Sequence, residues 1–160
     1  MTAARDVFAE TNPAYCVSIL TQFCKAYAQG RAVGRAPTVA IVYLALPIAL
    51  SEDLAPTFDG CNKSTGLLAW LNRSPSVLED LAKRTNATLD MTTAAIRFGC
   101  LTGMLRLTHE GELVSSLEKL PASVSGGVAR ASLKRAKLLG AWFATMGSPR
   151  AVLEALGVSV

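Results

Sequence analysis

Few residues in this 160-residue chain have the type and spacing for bond-making chemistry. Its only histidine, His109, stands beside Glu110 and Glu112, and a histidine within reach of a carboxylate is a common general acid–base pair. All three fall in a turn, with no motif tying a nucleophile to them, so the expectation is a solvated turn. Cys16, Cys24, Cys61 and Cys100 are widely spaced, with no Cys-x-x-Cys and no neighbouring histidine, which argues against structural zinc. Cys16, Cys24 and Cys100 occupy apolar helical positions and are expected as small core residues in a reducing compartment. The acidic pairs Glu52-Asp53 and Glu79-Asp80 lack ligand spacing and read as helix-terminal or surface charges. The connection from Gly30 to Pro37 contains Gly30 and Gly34 but not the Gly-Lys-Ser/Thr ending of a phosphate-binding loop. Its Arg31 and Arg35 are expected to be solvated or to touch a partner. The chain is read as a non-enzyme without cofactor or metal.

Charge offers a clearer signal. Residues 1–90 carry eight Lys/Arg against eight Asp/Glu, whereas residues 91–160 carry eight against four, so the net +4 resides entirely in the second part. Arg130, Lys134 and Lys137 recur at spacings of four and three on one face of a helix. Such a stripe contacts nucleic-acid phosphates in some proteins and is the ordinary wet side of an amphipathic helix in others. Arg97 and Arg106 join the candidate nucleic-acid contacts if they share that surface. Trp142 lies beside the apolar face of the same helix and reads either as core-rim packing or as an anchor at a partner interface.

The elements that would hold these residues are mostly helical. Apolar residues make up 51% of the chain and aromatics only 6%, a balance suited to helices packed through aliphatic side chains. Asn12 and Pro13 mark the start of a helix whose apolar face includes Tyr15, Ile19, Phe23 and Tyr27, and Gly30 follows its end. Val39 to Leu50 is an unbroken apolar run of twelve residues, too short for a membrane span of about 20 and better placed as a helix buried all round, kinked or ended near Pro47. The charged opening Met1 to Glu10 has no apolar run, which points to the cytoplasm.

Between Ser51 and Lys63 a polar, turn-rich stretch predicts a surface loop. Short helices follow from Thr65 and from Ser74-Pro75, and Asp90 is placed to cap a helix with Ala94, Ala95, Ile96, Phe98, Cys100 and Leu101 on its apolar side. After Gly103 the period becomes alternating, with Leu105, Leu107, the turn at Glu110-Gly111 and Leu113-Val114, which predicts a short hairpin. Ser125-Gly126-Gly127 opens a long helix with Leu133, Ala136, Leu139, Gly140, Phe143 and Met146 on its apolar face, and Gly140 suggests close approach of another helix. Ser148-Pro149 caps a last short helix. The expected fold is thus a mainly α, compact single domain over 1–160. It has a helical half, 1–88, and a winged-helix-like C-terminal half, 89–160, of helix, short β-hairpin, basic helix and terminal helix.

Asn12-Pro13-Ala14-Tyr15, Leu46-Pro47, Trp70-Leu71 with Ser74-Pro75, Phe98-Gly99, Leu139-Gly140-Ala141-Trp142-Phe143 and Leu156-Gly157-Val158 resemble, in this order, the middle component of bacterial three-component ABC systems. The resemblance spans nearly the whole chain and is carried by packing and capping residues. It implies a non-catalytic adaptor or scaffold subunit in anti-phage or anti-plasmid defence, linking an SMC-like ABC ATPase of the chromosome-maintenance and double-strand-repair type to an effector such as a nuclease. The alternative is a winged-helix nucleic-acid-binding protein. Neither reading involves the membrane.

Overall fold

Asn12 caps the first helix as its sequence predicts: its side-chain oxygen accepts the Ala14 N–H at 3.0 Å, and Pro13 opens α1 (Pro13–Gln29). The computed structural model describes residues 12–30, 35–116, 118–120 and 128–159. Beyond α1 lie α2 (Val39–Leu50), a 3-10 turn (Ala55–Phe58), α3 (Leu67–Arg73), α4 (Ser76–Glu79), α5 (Leu81–Ala87) and α6 (Leu89–Leu101). The strands β1 (Leu105–Leu107) and β2 (Leu113–Ser115), then α7 (Val128–Thr145) and α8 (Pro149–Ala155), complete the order. The described residues are therefore mainly helical, with eight α-helices and one two-stranded antiparallel hairpin.

Helix α2 is buried on nearly every side, as expected for an apolar run with no polar face, and it continues through Pro47 to Leu50 instead of stopping there. Proline removes one helical N–H, and the tertiary packing around Leu44, Ala45, Leu46 and Ile48 outweighs that loss. Helix α1 packs along α7 on one side and against α6 and β2 on another, while α2 meets α1, α5, α6, α7 and α8. One contiguous core draws on both halves of the chain, from Cys16 to Leu156.

Two glycines set the closest contacts. A Cβ on Gly140 would lie 2.5 Å from the Phe23 carbonyl oxygen and 2.9 Å from the Ala26 Cβ, so α7 reaches the main chain of α1. The expected close approach at Gly140 is present. A Cβ on Gly99 would lie 2.6 Å from both Leu105 and Val17 side-chain carbons, which seats α6 equally tightly over α1 and β1.

Aromatic rings fill the space under the loop after α2. Trp142 stacks on Phe58 at 5.9 Å and 5°, and Trp70 lies 5.5 Å from Trp142. Their buried indole N–H groups both donate to the loop's backbone, Trp70 to the Thr57 carbonyl at 3.2 Å and Trp142 to that of Asn62 at 3.0 Å. The polar stretch from Ser51 to Lys63 is thus fastened to the core at two points.

The hairpin pairs Leu105 with Ser115, Arg106 with Val114 and Leu107 with Leu113. Its turn is closed by Thr108, whose N–H donates to the Glu112 carbonyl at 2.9 Å, and Gly111 supplies the left-handed residue with φ 76°. Two strands alone would be marginal. Leu113 N–H donates to the Pro37 carbonyl and Val39 N–H to that of Gly111, tying the hairpin to the start of α2, while Leu105 and Leu113 are buried in the core. The order helix, hairpin, long helix is present, but order alone does not make a winged helix. Here the hairpin leans on α1 and the head of α2, and α7 turns a broad face into the core.

Two local expectations need correction, and a third lies outside the described residues. Thr88, not Asp90, precedes α6, and its hydroxyl turns back to the Arg84 carbonyl because α5 runs directly into α6. Cys100 is exposed while Cys16 and Cys24 are buried, because α6 presents Thr92, Ala95 and Gly99 to the core and turns Phe98, Cys100 and Leu101 outward. The Ser125-Gly126-Gly127 helix start lies outside the described residues, and α7 is described from Val128.

Candidate interaction surfaces

Helix α7 divides its residues sharply. Ser132, Arg135, Ala136, Leu139, Gly140, Trp142 and Phe143 face the core, whereas Arg130, Lys134 and Lys137 are exposed on the other side. None of these three cations forms an ion pair among the described residues. The stripe is therefore an open basic face.

Arg97 and Arg106 do not extend it. Arg97 is exposed on the outward side of α6, which α1 separates from α7, and Arg106 lies on β1. Strand alternation sends Leu105 inward and Arg106 to the opposite face of the hairpin. There Arg106, Thr108, Glu112 and Val114 line a cleft of about 480 Å³ against Lys25 and Ala28 of α1. The Lys25 ammonium donates to the Glu118 carbonyl oxygen. Cys24 also borders this cleft, and burial pushes its thiol well above the ordinary range, which keeps it protonated and poorly nucleophilic.

Arg35 is exposed, as a partner contact requires, and Arg31 lies outside the described residues. Trp142 is corrected from rim to centre: it has no exposed surface, its ring is stacked in the aromatic cluster, and its N–H is bonded. A partner anchor must be accessible, so this residue acts in packing.

His109 and Glu110 are exposed at the hairpin tip, as expected of a solvated turn. Glu52 and Asp53 are both engaged by arginines: Glu52 by Arg135 at 3.0 Å, and Asp53 by Arg84 at 3.7 Å. Among the described residues no group of three or more His, Cys, Asp or Glu is arranged to hold a metal ion, and no helix is long and apolar enough to cross a membrane.

Two features escaped the sequence reading. Arg135 is only 5% exposed; its guanidinium donates to the Ala49 carbonyl at 2.8 Å and to Ser132 Oγ at 3.1 Å besides meeting Glu52. It thereby satisfies a carbonyl of the last turn of α2, where helix geometry leaves acceptors without partners. Its inner position was visible in the spacing Ser132, Arg135, Leu139, Trp142, had charge not overridden periodicity. The second feature is the outward face of α6. Ala94, Arg97, Phe98 and Leu101 recur at i, i+3, i+4 and i+7, which puts them on one face, and all four are exposed. Leu101 is 88% exposed, and Leu107 of the adjoining β1 is 52% exposed. Of the apolar positions expected to face the core, Ala95 is buried and Ile96 packs against the core, whereas Ala94, Phe98, Cys100 and Leu101 face outward.

Comparison with known proteins finds one matching family, described as ABC-three component (ABC-3C) system Middle Component 3, whose model covers residues 5–160. No curated protein and no solved structure matches.

Proposed function

The chain belongs to the ABC-three component (ABC-3C) system Middle Component 3 family, and from that premise we propose that it is a non-catalytic adaptor. In this reading it links an SMC-like ABC ATPase to an effector, such as a nuclease, within a cytoplasmic bacterial system of anti-plasmid or anti-phage defence. The observation that carries the reading is the family match over residues 5–160, because a middle component of a three-component system has two other components to meet. Separated exposed features, the basic face of α7 and the apolar face of α6, are consistent with more than one contact. Co-expression of the chain with its two companion components tests it. Co-elution of the chain with both on gel filtration is expected; a chain that elutes alone from both overturns the adaptor.

A second reading has its own support. Arg130, Lys134 and Lys137 are all exposed on one face of α7 with no carboxylate paired to them among the described residues, which favours contact with nucleic-acid phosphates. Such contact needs no winged helix, because backbone affinity depends on cation placement alone.

A further inference from the structure

Helix α6 is built with its small residues inside and its large apolar residues outside. Its buried positions are Thr92, Ala95 and Gly99, while Phe98 is 36% and Leu101 88% exposed. Rolling the helix to bury Phe98 or Leu101 is blocked. The Gly99 position already touches Leu105 and Val17 so closely that even a Cβ would meet them at 2.6 Å. The outer apolar residues therefore stay in solvent until something covers them, and covering them is favourable because it removes apolar surface from water. A single cation, Arg97, sits among Ala94, Phe98 and Leu101 with no ion pair among the described residues; Asp90 lies two turns away, at the helix start.

We propose that the face formed by Ala94, Arg97, Phe98 and Leu101 is the docking surface for an amphipathic segment of a companion component. That segment presents apolar side chains and a carboxylate opposite Arg97. The charge of the face selects this occupant: a wholly apolar segment would leave the guanidinium desolvated and unpaired, and a basic one would repel it. The apolar residues supply the affinity and Arg97 the orientation. The assignment rests on the adaptor reading, since it presumes that a companion component binds.

The test uses the full chain co-expressed with its companions, comparing wild type, Leu101→Glu, Arg97→Glu and the control Leu68→Glu, an exposed leucine on α3. Leu101 is open to solvent, so its variant keeps the wild-type circular dichroism and melting temperature. Leu101→Glu is expected to weaken association at least tenfold and Arg97→Glu several-fold, with Leu68→Glu unchanged. Alkylation of Cys100, exposed at the border of this face, should slow in the complex. Wild type that assembles while Leu101→Glu assembles equally well overturns this surface and leaves the adaptor standing. Loss of self-association in Leu101→Glu with companion binding intact also overturns it, by making the face an interface between copies. If wild type binds neither companion, the adaptor and this surface fall together.

Discussion

Gly140 faces the carbonyl of Phe23 so closely that a methyl group at 140 would lie 2.5 Å from that oxygen. The obstruction is backbone rather than a flexible side chain, so Gly140→Ala must push α7 away from α1. Overpacking of this kind costs about 1–3 kcal/mol, against a gain of up to about 1 kcal/mol from alanine's helix preference. The expected outcome is a lower urea midpoint; an unchanged or higher midpoint would show that the helices are not so closely seated.

Arg135 and Glu52 should be unequal partners. Glu52 is half-exposed and Arg135 buried, with two further acceptors besides the carboxylate. Glu52→Ala is expected to cost under about 1 kcal/mol. Arg135→Ala leaves the Ala49 carbonyl without its donor and opens a gap, so a loss of about 2–4 kcal/mol is expected. Denaturant unfolding of both variants checks the order, and equal losses would contradict it.

Trp142 tests the fastening of the 51–63 loop. Trp142→Phe keeps most of the ring but deletes the N–H bonded to Asn62, for a loss of about 1–3 kcal/mol. Amide exchange should quicken around Asn62 more than in α8, whereas uniform acceleration would indicate that the bond fastens nothing locally.

Cys24 predicts a pH dependence with a definite sign. Its thiol is raised by burial in the folded chain, while an unfolded thiol ionises near about 8.5. Below that pH both states hold the proton and the stability of the fold is undiminished. Above it only the unfolded chain gives the proton up, so stability falls by up to roughly 1.4 kcal/mol per pH unit. Cys24→Ala should flatten this alkaline decline between pH 8 and 10, and an unchanged slope would assign the decline to other groups. In the native protein iodoacetamide should modify Cys100 well before Cys24.

The basic face of α7 is tested by charge reversal. If it meets nucleic acid, replacing Arg130, Lys134 and Lys137 by Glu abolishes salt-sensitive DNA binding by the assembled system. Replacing Arg97 and Arg106, which lie elsewhere, leaves the salt slope nearly unchanged. Binding that survives the triple substitution rejects this contact.

Much of the fold could be read from the chain because its signals are local. Asn12-Pro13, Gly30, the turn glycine Gly111 and Ser148-Pro149 each fix backbone geometry within a few residues, and the structure bears them out. The faces of α1 and α7 are also as expected; what failed was the placement of part of α6, of Arg135 and of Trp142. The α6 pattern contains inner and outer stripes, and only the contact of Gly99 with Leu105 and Val17 decides which one faces in. Arg135 was hidden for the converse reason: a cation is expected outside, yet the acceptors at the end of α2 can satisfy it within. Trp142 lay at the edge of a helical wheel and at the centre of a cluster that depends on Phe58 and Trp70, far away in sequence. Surface residues such as Arg35 and Lys137 carry no local geometric constraint, so their spacing alone does not identify what they meet.

The position of α1 bears on how occupied surfaces would influence one another. It is wedged between α7 and the pair formed by α6 and β2, with glycine contacts at Gly140 and Gly99 that leave little room to slide. A tightly seated wedge of this kind insulates. Ligands on α6 and α7 should add their binding free energies almost independently, with a coupling factor near one, so that either can leave without loosening the other.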